Sequence, residues 1–123
     1  MAEQVLHNGL TSDRWNRFPI KQRLQMIESE FARAHALLAE SRDRISARNC
    51  YQRARELILW TLGDPLVQQS SQLAVRVLET VMESIDKKEF EKENLFSLTR
   101  HALELDQLFF DVSSDPRLLS FPK

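Results

Sequence analysis

From Ile20 onward the chain sets apolar residues at Leu24, Ile27, Phe31, Ala34 and Leu38, alternating steps of four and three. That spacing turns one face of a 3.6-residue helix toward a partner. It predicts a first long helix opening at Pro19, whose missing N–H would find no intrahelical acceptor in the first turn anyway. The stripe weakens across "AESRDRISA". Ser41 is the candidate cap there, and a tight turn is expected over 41–44, with one unbroken helix to Leu62 as the alternative. Ala47, Tyr51, Ala54, Ile58 and Thr61 resume the stripe, widened by Cys50, Leu57 and Leu62, as far as Gly63 at a C-terminal cap position. Asp64 and Pro65 open a third helix carrying Val67, Ala74, Leu78, Val81 and Ile85, with Leu73, Val77 and Met82 alongside. After the charged turn "DKKE", Leu95, Leu98, Ala102, Leu105, Phe109 and Val112 define a fourth, widened by Phe96, Leu103 and Phe110 and expected to end near Asp111.

Four segments of about twenty residues are each about 30 Å long at 1.5 Å per residue. Matched lengths and short connections predict an all-α fold, a four-helix up-and-down antiparallel bundle over 19–112. The core is expected at Leu24, Ile27, Phe31, Ala54, Ile58, Leu78, Val81, Leu98, Leu105 and Phe109, the centres of the stripes. No alternating strand pattern competes. "YQRAREL" resembles part of a tetratricopeptide unit, but no companion recurs at the period a helical solenoid needs.

Ahead of the bundle, residues 1–18 form a leader expected to pack on it. Thr11 or Ser12 can cap a single turn holding Asp13, whose charge suits a helix start, and that turn sets Trp15 and Phe18 down on the helices. Residues 113–123 are a tail.

"NGLTSDRW", then "QMIESEFARA", then "YQRARELILWTLGDP" together resemble a family of small uncharacterised bacterial proteins. In that family an Asn-Gly-Leu-Thr-x-x-Arg-Trp start, an Ile-x-Ser-Glu-x-x-x-Arg-Ala-like helix and an Arg-Ala-x-Glu-Leu helix ending in Asp-Pro recur in this order. The resemblance covers roughly the first half of the chain. It implies bacterial origin and an all-α fold, and it assigns no catalytic residue.

Composition narrows the class. The 123 residues, 42% hydrophobic and 28% charged, can bury a core without metal or disulfide staples. A formal charge of −1 removes any whole-molecule attraction to nucleic acid. The single Cys50 cannot form an intramolecular disulfide, and the first thirty residues hold no apolar segment of signal-peptide type. A cytoplasmic location without membrane insertion is the expectation, since no apolar run approaches about 20 residues.

Machinery for catalysis is not visible. A carboxylate-bridged dimetal bundle needs paired Glu-x-x-His motifs, whereas His101 and Glu104 make one pair in reverse order. A HEPN-type ribonuclease needs an arginine, four to six intervening residues and then a histidine; neither His35 nor His101 has an arginine in that window, and His7 is too near the start. Cys50 lies among apolar positions as a small hydrophobe, and His35 and His101 read as edge residues of amphipathic faces. Gly-rich phosphate loops, Cys-x-x-Cys pairs and Gly-x-Ser-x-Gly elbows are missing from the sequence. No metal or cofactor is expected.

Two surfaces are left as candidates. Arg42, Arg44, Arg48, Arg53 and Arg55 stand against one acid, Asp43, while 65–112 sets nine carboxylates against five cations. The arginine face therefore meets acidic side chains within the bundle or a subunit interface, or else a nucleic-acid backbone. The helices also carry more apolar surface than one core consumes, at Leu73, Val75, Met82, Phe96, Leu103 and Phe110. That surplus predicts a homo-oligomer, a two-fold dimer first, unless Leu118, Leu119 and Phe121 of the tail fold back over it.

Overall fold

Thr11 Oγ1 accepts the N–H of Arg14 at 3.2 Å and opens the first helical turn, α1 (Ser12–Trp15). A computed structural model describes residues 9–118, and among these every regular element is helical. The long elements are α2 (Ile20–Ala36), α3 (Arg44–Leu62), α5 (Gln72–Lys87) and α6 (Leu95–Ser113), with a short α4 (Pro65–Ser70) between α3 and α5. A π-helical turn spans Leu37–Ser41 and a 3-10 turn spans Pro116–Leu118. None of the described helices is long and apolar enough to cross a membrane.

The stripes predict the core closely: Leu24, Ile27, Phe31, Ala54, Ile58, Leu78, Val81, Leu98, Leu105 and Phe109 are all buried in one cluster. Phe31 stacks on Phe109 at 5.5 Å between ring centroids and meets Tyr51 edge-on at 5.4 Å. These aromatic contacts bind α2, α3 and α6 at mid-height. α2 packs on both α3 and α6, and α3 also packs on α5.

Helix boundaries show where local chemistry overrides the stripe. Pro19 is the N-cap of α2 and not its first residue. The expected turn over 41–44 forms, which removes the unbroken-helix alternative, but Ser41 is not its cap. It ends the π-helical turn, Arg42 takes a left-handed conformation at φ 52°, and Asp43 caps α3 by accepting the Ser46 N–H at 3.0 Å. A short polar side chain one residue beyond a left-handed residue is well placed for that bond. The third expected helix is in fact two. Ser71 leaves helical geometry (φ −140°, ψ 84°) and caps α5 through the Ala74 N–H, because serine competes with the helix for backbone groups. Gly63 does end α3, and Asp64 with Pro65 opens the next helix as expected. α6 runs two residues past Asp111. The covering role proposed for the tail falls on the side chain of Leu118 and on Leu119 and Phe121, which lie outside what the structure describes.

Candidate functional site

At one end of the molecule the leader and the "GDP" turn converge. Trp15 is fully buried, its Nε1–H donates to Thr61 Oγ1 at 2.8 Å, and the Thr61 hydroxyl donates in turn to Leu57 O. Phe18 meets the indole edge-on at 6.1 Å. Beside it lies Arg23, which sequence reasoning did not single out. Its Nε donates to Phe18 O at 2.8 Å and its Nη1 to Asn16 Oδ1 at 3.0 Å, while Asp64 Oδ2 stands 3.0 Å from Nη1 with both side chains under a tenth exposed. Burial pulls the Arg23 pKa down, and the nearby Asp64 carboxylate opposes it. The other Asp64 oxygen caps Leu66 N at 3.0 Å. Within "NGLTSDRW", Thr11 caps the turn and Trp15 anchors it to the bundle. Arg14 holds Gly9 O, which a left-handed backbone (φ +75°) presents.

At mid-height, His101 is held on both ring nitrogens, by Tyr51 Oη at 2.9 Å and by Ser84 Oγ at 2.7 Å, joining α3, α5 and α6. Either neutral tautomer serves, because each hydroxyl can donate or accept. Burial first, then the charge of Lys88, lowers the imidazole pKa to about 4 against the opposing pull of Glu104 and Glu93. Burial also pushes the Tyr51 phenol well above its ordinary range. The Ser84–His101 distance is that of a nucleophile and base. Yet Ser84 sits inside a continuous helix whose N–H groups serve the helix, and an imidazole near 4 is a poor base at neutral pH. The arrangement binds three helices. His101 is therefore a partner to its neighbours and not the simple edge residue its spacing implied. His35 is half-buried.

Cys50 is buried as expected. Burial raises its thiol pKa, Arg53 pulls the other way, and Arg53 Nη2 donates to the sulfur at 3.1 Å. Among the described residues no three His, Cys, Asp or Glu side chains converge as metal ligands would.

Four of the five candidate arginines meet groups of this chain. Arg44 Nη1 donates to Phe90 O and Glu93 O at 2.7 Å, Arg53 pairs with Glu30, Arg55 makes a two-point contact with Asp86, and Arg48 stands 3.8 Å from Glu91. Arg42 holds the left-handed position. Arg44 and Arg48 border a depression of about 590 Å³ facing the connection from α5 to α6, with Ile45, Phe90, Lys92 and Asn94 around it. Glu91 and Glu93 offset its cations.

The apolar candidates divide. Val75 and Met82 are partly buried against the core, and Leu73 is partly buried. Phe96, Phe110 and Leu103 stay 74%, 58% and 39% exposed. Their seven-residue spacing aligns them as one ridge along α6. The ridge runs about 21 Å at 1.5 Å per residue.

One further pair was not legible in the sequence. Glu28 of α2 and Asp106 of α6 come within reach of each other where the two helices pack, and burial first, then Asp106, raises the Glu28 pKa to about 7. Asp106 Oδ1 is buried with no donor. Each carboxylate is simply the residue after a core position, Ile27 and Leu105, and only the packing of α2 on α6 brings them together.

No family model, no curated protein and no solved structure matches this chain.

Proposed function

We propose that this chain is a non-enzymatic interaction module of the bacterial cytoplasm that pairs with a second copy of itself through the α6 ridge. The observation that carries the reading is the exposed line of Phe96, Leu103 and Phe110. Two aromatic rings and a leucine on one line leave an apolar strip of roughly 300 Å² open to water, within the range of the largest patch on a monomer, which is often functional. The strip is self-complementary. A two-fold axis at Leu103 sets two α6 helices antiparallel, with Phe96 against Phe110 of the partner subunit and the leucines meeting at the centre.

Support for antiparallel connections from α2 to α3 and from α3 to α5, as an up-and-down bundle needs, comes from the order of cross-helix partners, whereas Glu28–Asp106 and Phe31–Phe109 advance together between α2 and α6. Glu30 with Arg53 and Arg23 with Asp64 run oppositely along α2 and α3, as do Tyr51 with Phe90 and Arg55 with Asp86 along α3 and the α5 side. The kinship to the small bacterial family belongs to the same proposal: the leader it rests on has a structural task in Trp15 and Asn16. Nucleic-acid contact is the weaker reading, because Arg44, Arg53 and Arg55 already serve acids and carbonyls of this chain.

Light scattering over a range of concentrations tests the pairing. A mass rising to twice 14.4 kDa that returns to one chain in Phe96→Asp or Leu103→Lys, with helix content unchanged, supports it. A single-chain mass at every concentration overturns it.

A further inference from the structure

Glu28 and Asp106 are the like-charged pair at a seam whose other contacts are apolar. The residues one turn before and after each are uncharged: Leu24, Phe31, Ala102 and Phe109 are buried in the seam, while Gln25, Ala32, Leu103 and Phe110 lie along its exposed edge. Lys21 and His35, the next ionisable groups along that side of α2, lie seven residues off, about 10 Å at 1.5 Å per residue. Glu40 lies further along, in the π-helical turn. The arginines of α3 act on the opposite flank of α2, where Arg53 holds Glu30, and Arg55 turns to α5, where it holds Asp86. Among the described residues no cation lies within a turn of either carboxylate on its own helix or acts on Glu28, and Asp106 Oδ1 is buried without a donor.

We propose that Glu28 and Asp106 form a proton-operated latch: one shared proton ties α2 to α6, and its loss leaves two carboxylates pressing the helices apart. Two carboxylates cannot hydrogen-bond each other until one carries a proton, and a proton on Glu28 supplies the donor that Asp106 otherwise lacks. The raised Glu28 pKa of about 7, caused by burial first and then by Asp106, agrees with that geometry. An acid whose folded pKa lies above its ordinary 4.5 stabilises the fold fully below that ordinary value and loses the contribution as pH rises through the folded value. The latch thus holds on the acid side of neutrality and releases above it. It acts within a single chain, whether or not α6 pairs with a second copy.

The test compares wild type with Glu28→Gln in urea at about pH 6 and about pH 8.5, at fixed ionic strength and at a dilution where the mass is that of one chain. The wild-type midpoint falls between the two pH values, while the glutamine amide donates to Asp106 at either pH and shrinks that fall by at least half. In ¹³C-labelled protein the Glu28 carboxyl resonance titrates near 7, and in Asp106→Asn it moves back toward the ordinary glutamate range. If Glu28→Gln fails to fold, the resonance alone decides. Titration near 4.5 in wild type, or an equal pH-dependent loss in Glu28→Gln, overturns the latch.

Discussion

On the α3 side of α2, Arg23 meets Asp64 as an opposite charge, and the leader's Phe18 carbonyl and Asn16 amide take up two more of its guanidinium hydrogens. On the α6 side of the same helix, Glu28 meets Asp106, and among the described residues no cation stands within a turn of either along its own helix. Both pairs are built into helix contacts. The first is charge-balanced at neutral pH: Arg23 stands 3.0 Å from Asp64 Oδ2 and donates to two leader oxygens, although Asp64 Oδ2 itself takes only the ionic contact and no well-aligned hydrogen bond. The second is complete only when a proton is added. The difference teaches which contact is permanent and which is conditional: fixed opposite charges lock an interface, while like charges tie its strength to pH.

The sharpest way to break this contrast is to remove the locked side. Arg23→Ala leaves Asp64 as an uncompensated buried charge and is expected to lower unfolding stability by about 3–5 kcal/mol. Trp15→Ala, which empties a fully buried site beside it, is expected to cost a similar 3–5 kcal/mol or so. Chemical denaturation measures both. A loss under about 1 kcal/mol in either would mean that the leader is a detachable lid and not part of the core.

A second test concerns sign. His101 is held neutral with its pKa lowered to about 4 from an ordinary 6.5. Its contribution is fully present above the ordinary value and is lost as pH falls through about 4. The Glu28 contribution runs the other way, so wild-type stability is expected to peak on the acid side of neutrality. Proton NMR of the imidazole should show a midpoint near 4, and a midpoint at 6.5 would mean that the ring is not buried between the helices.

The smallest effect is expected where opposite charges meet in water. Arg55 and Asp86 are 40% and 51% exposed, so Arg55→Ala should change stability by only about 0–1 kcal/mol, and by less in high salt. A large loss would show that good geometry can match burial, and would weaken the contrast drawn between the Arg23 pair and the surface pairs.

The three-and-four spacing by itself determined that the chain is helical and which side chains enter the core. Burying one apolar stripe is a local property that each helix carries in its own residues. Turn chemistry was partly legible: Thr11 and the Gly63-Asp64-Pro65 run were, but Ser71 was not, because a serine inside an unbroken apolar period gives no local sign that it will cap and not continue. Tertiary structure alone decided the partnerships. Arg23 and Asp64 are forty-one positions apart, and Glu28 and Asp106 seventy-eight; neither pair has a signature in spacing, because ionic contacts depend on which helix faces which. The same holds for Phe96, Leu103 and Phe110. The pattern marked them as surplus, and only the packing of α6 against α2 left them facing water, while Val75 and Met82, equally surplus on paper, turned toward the core.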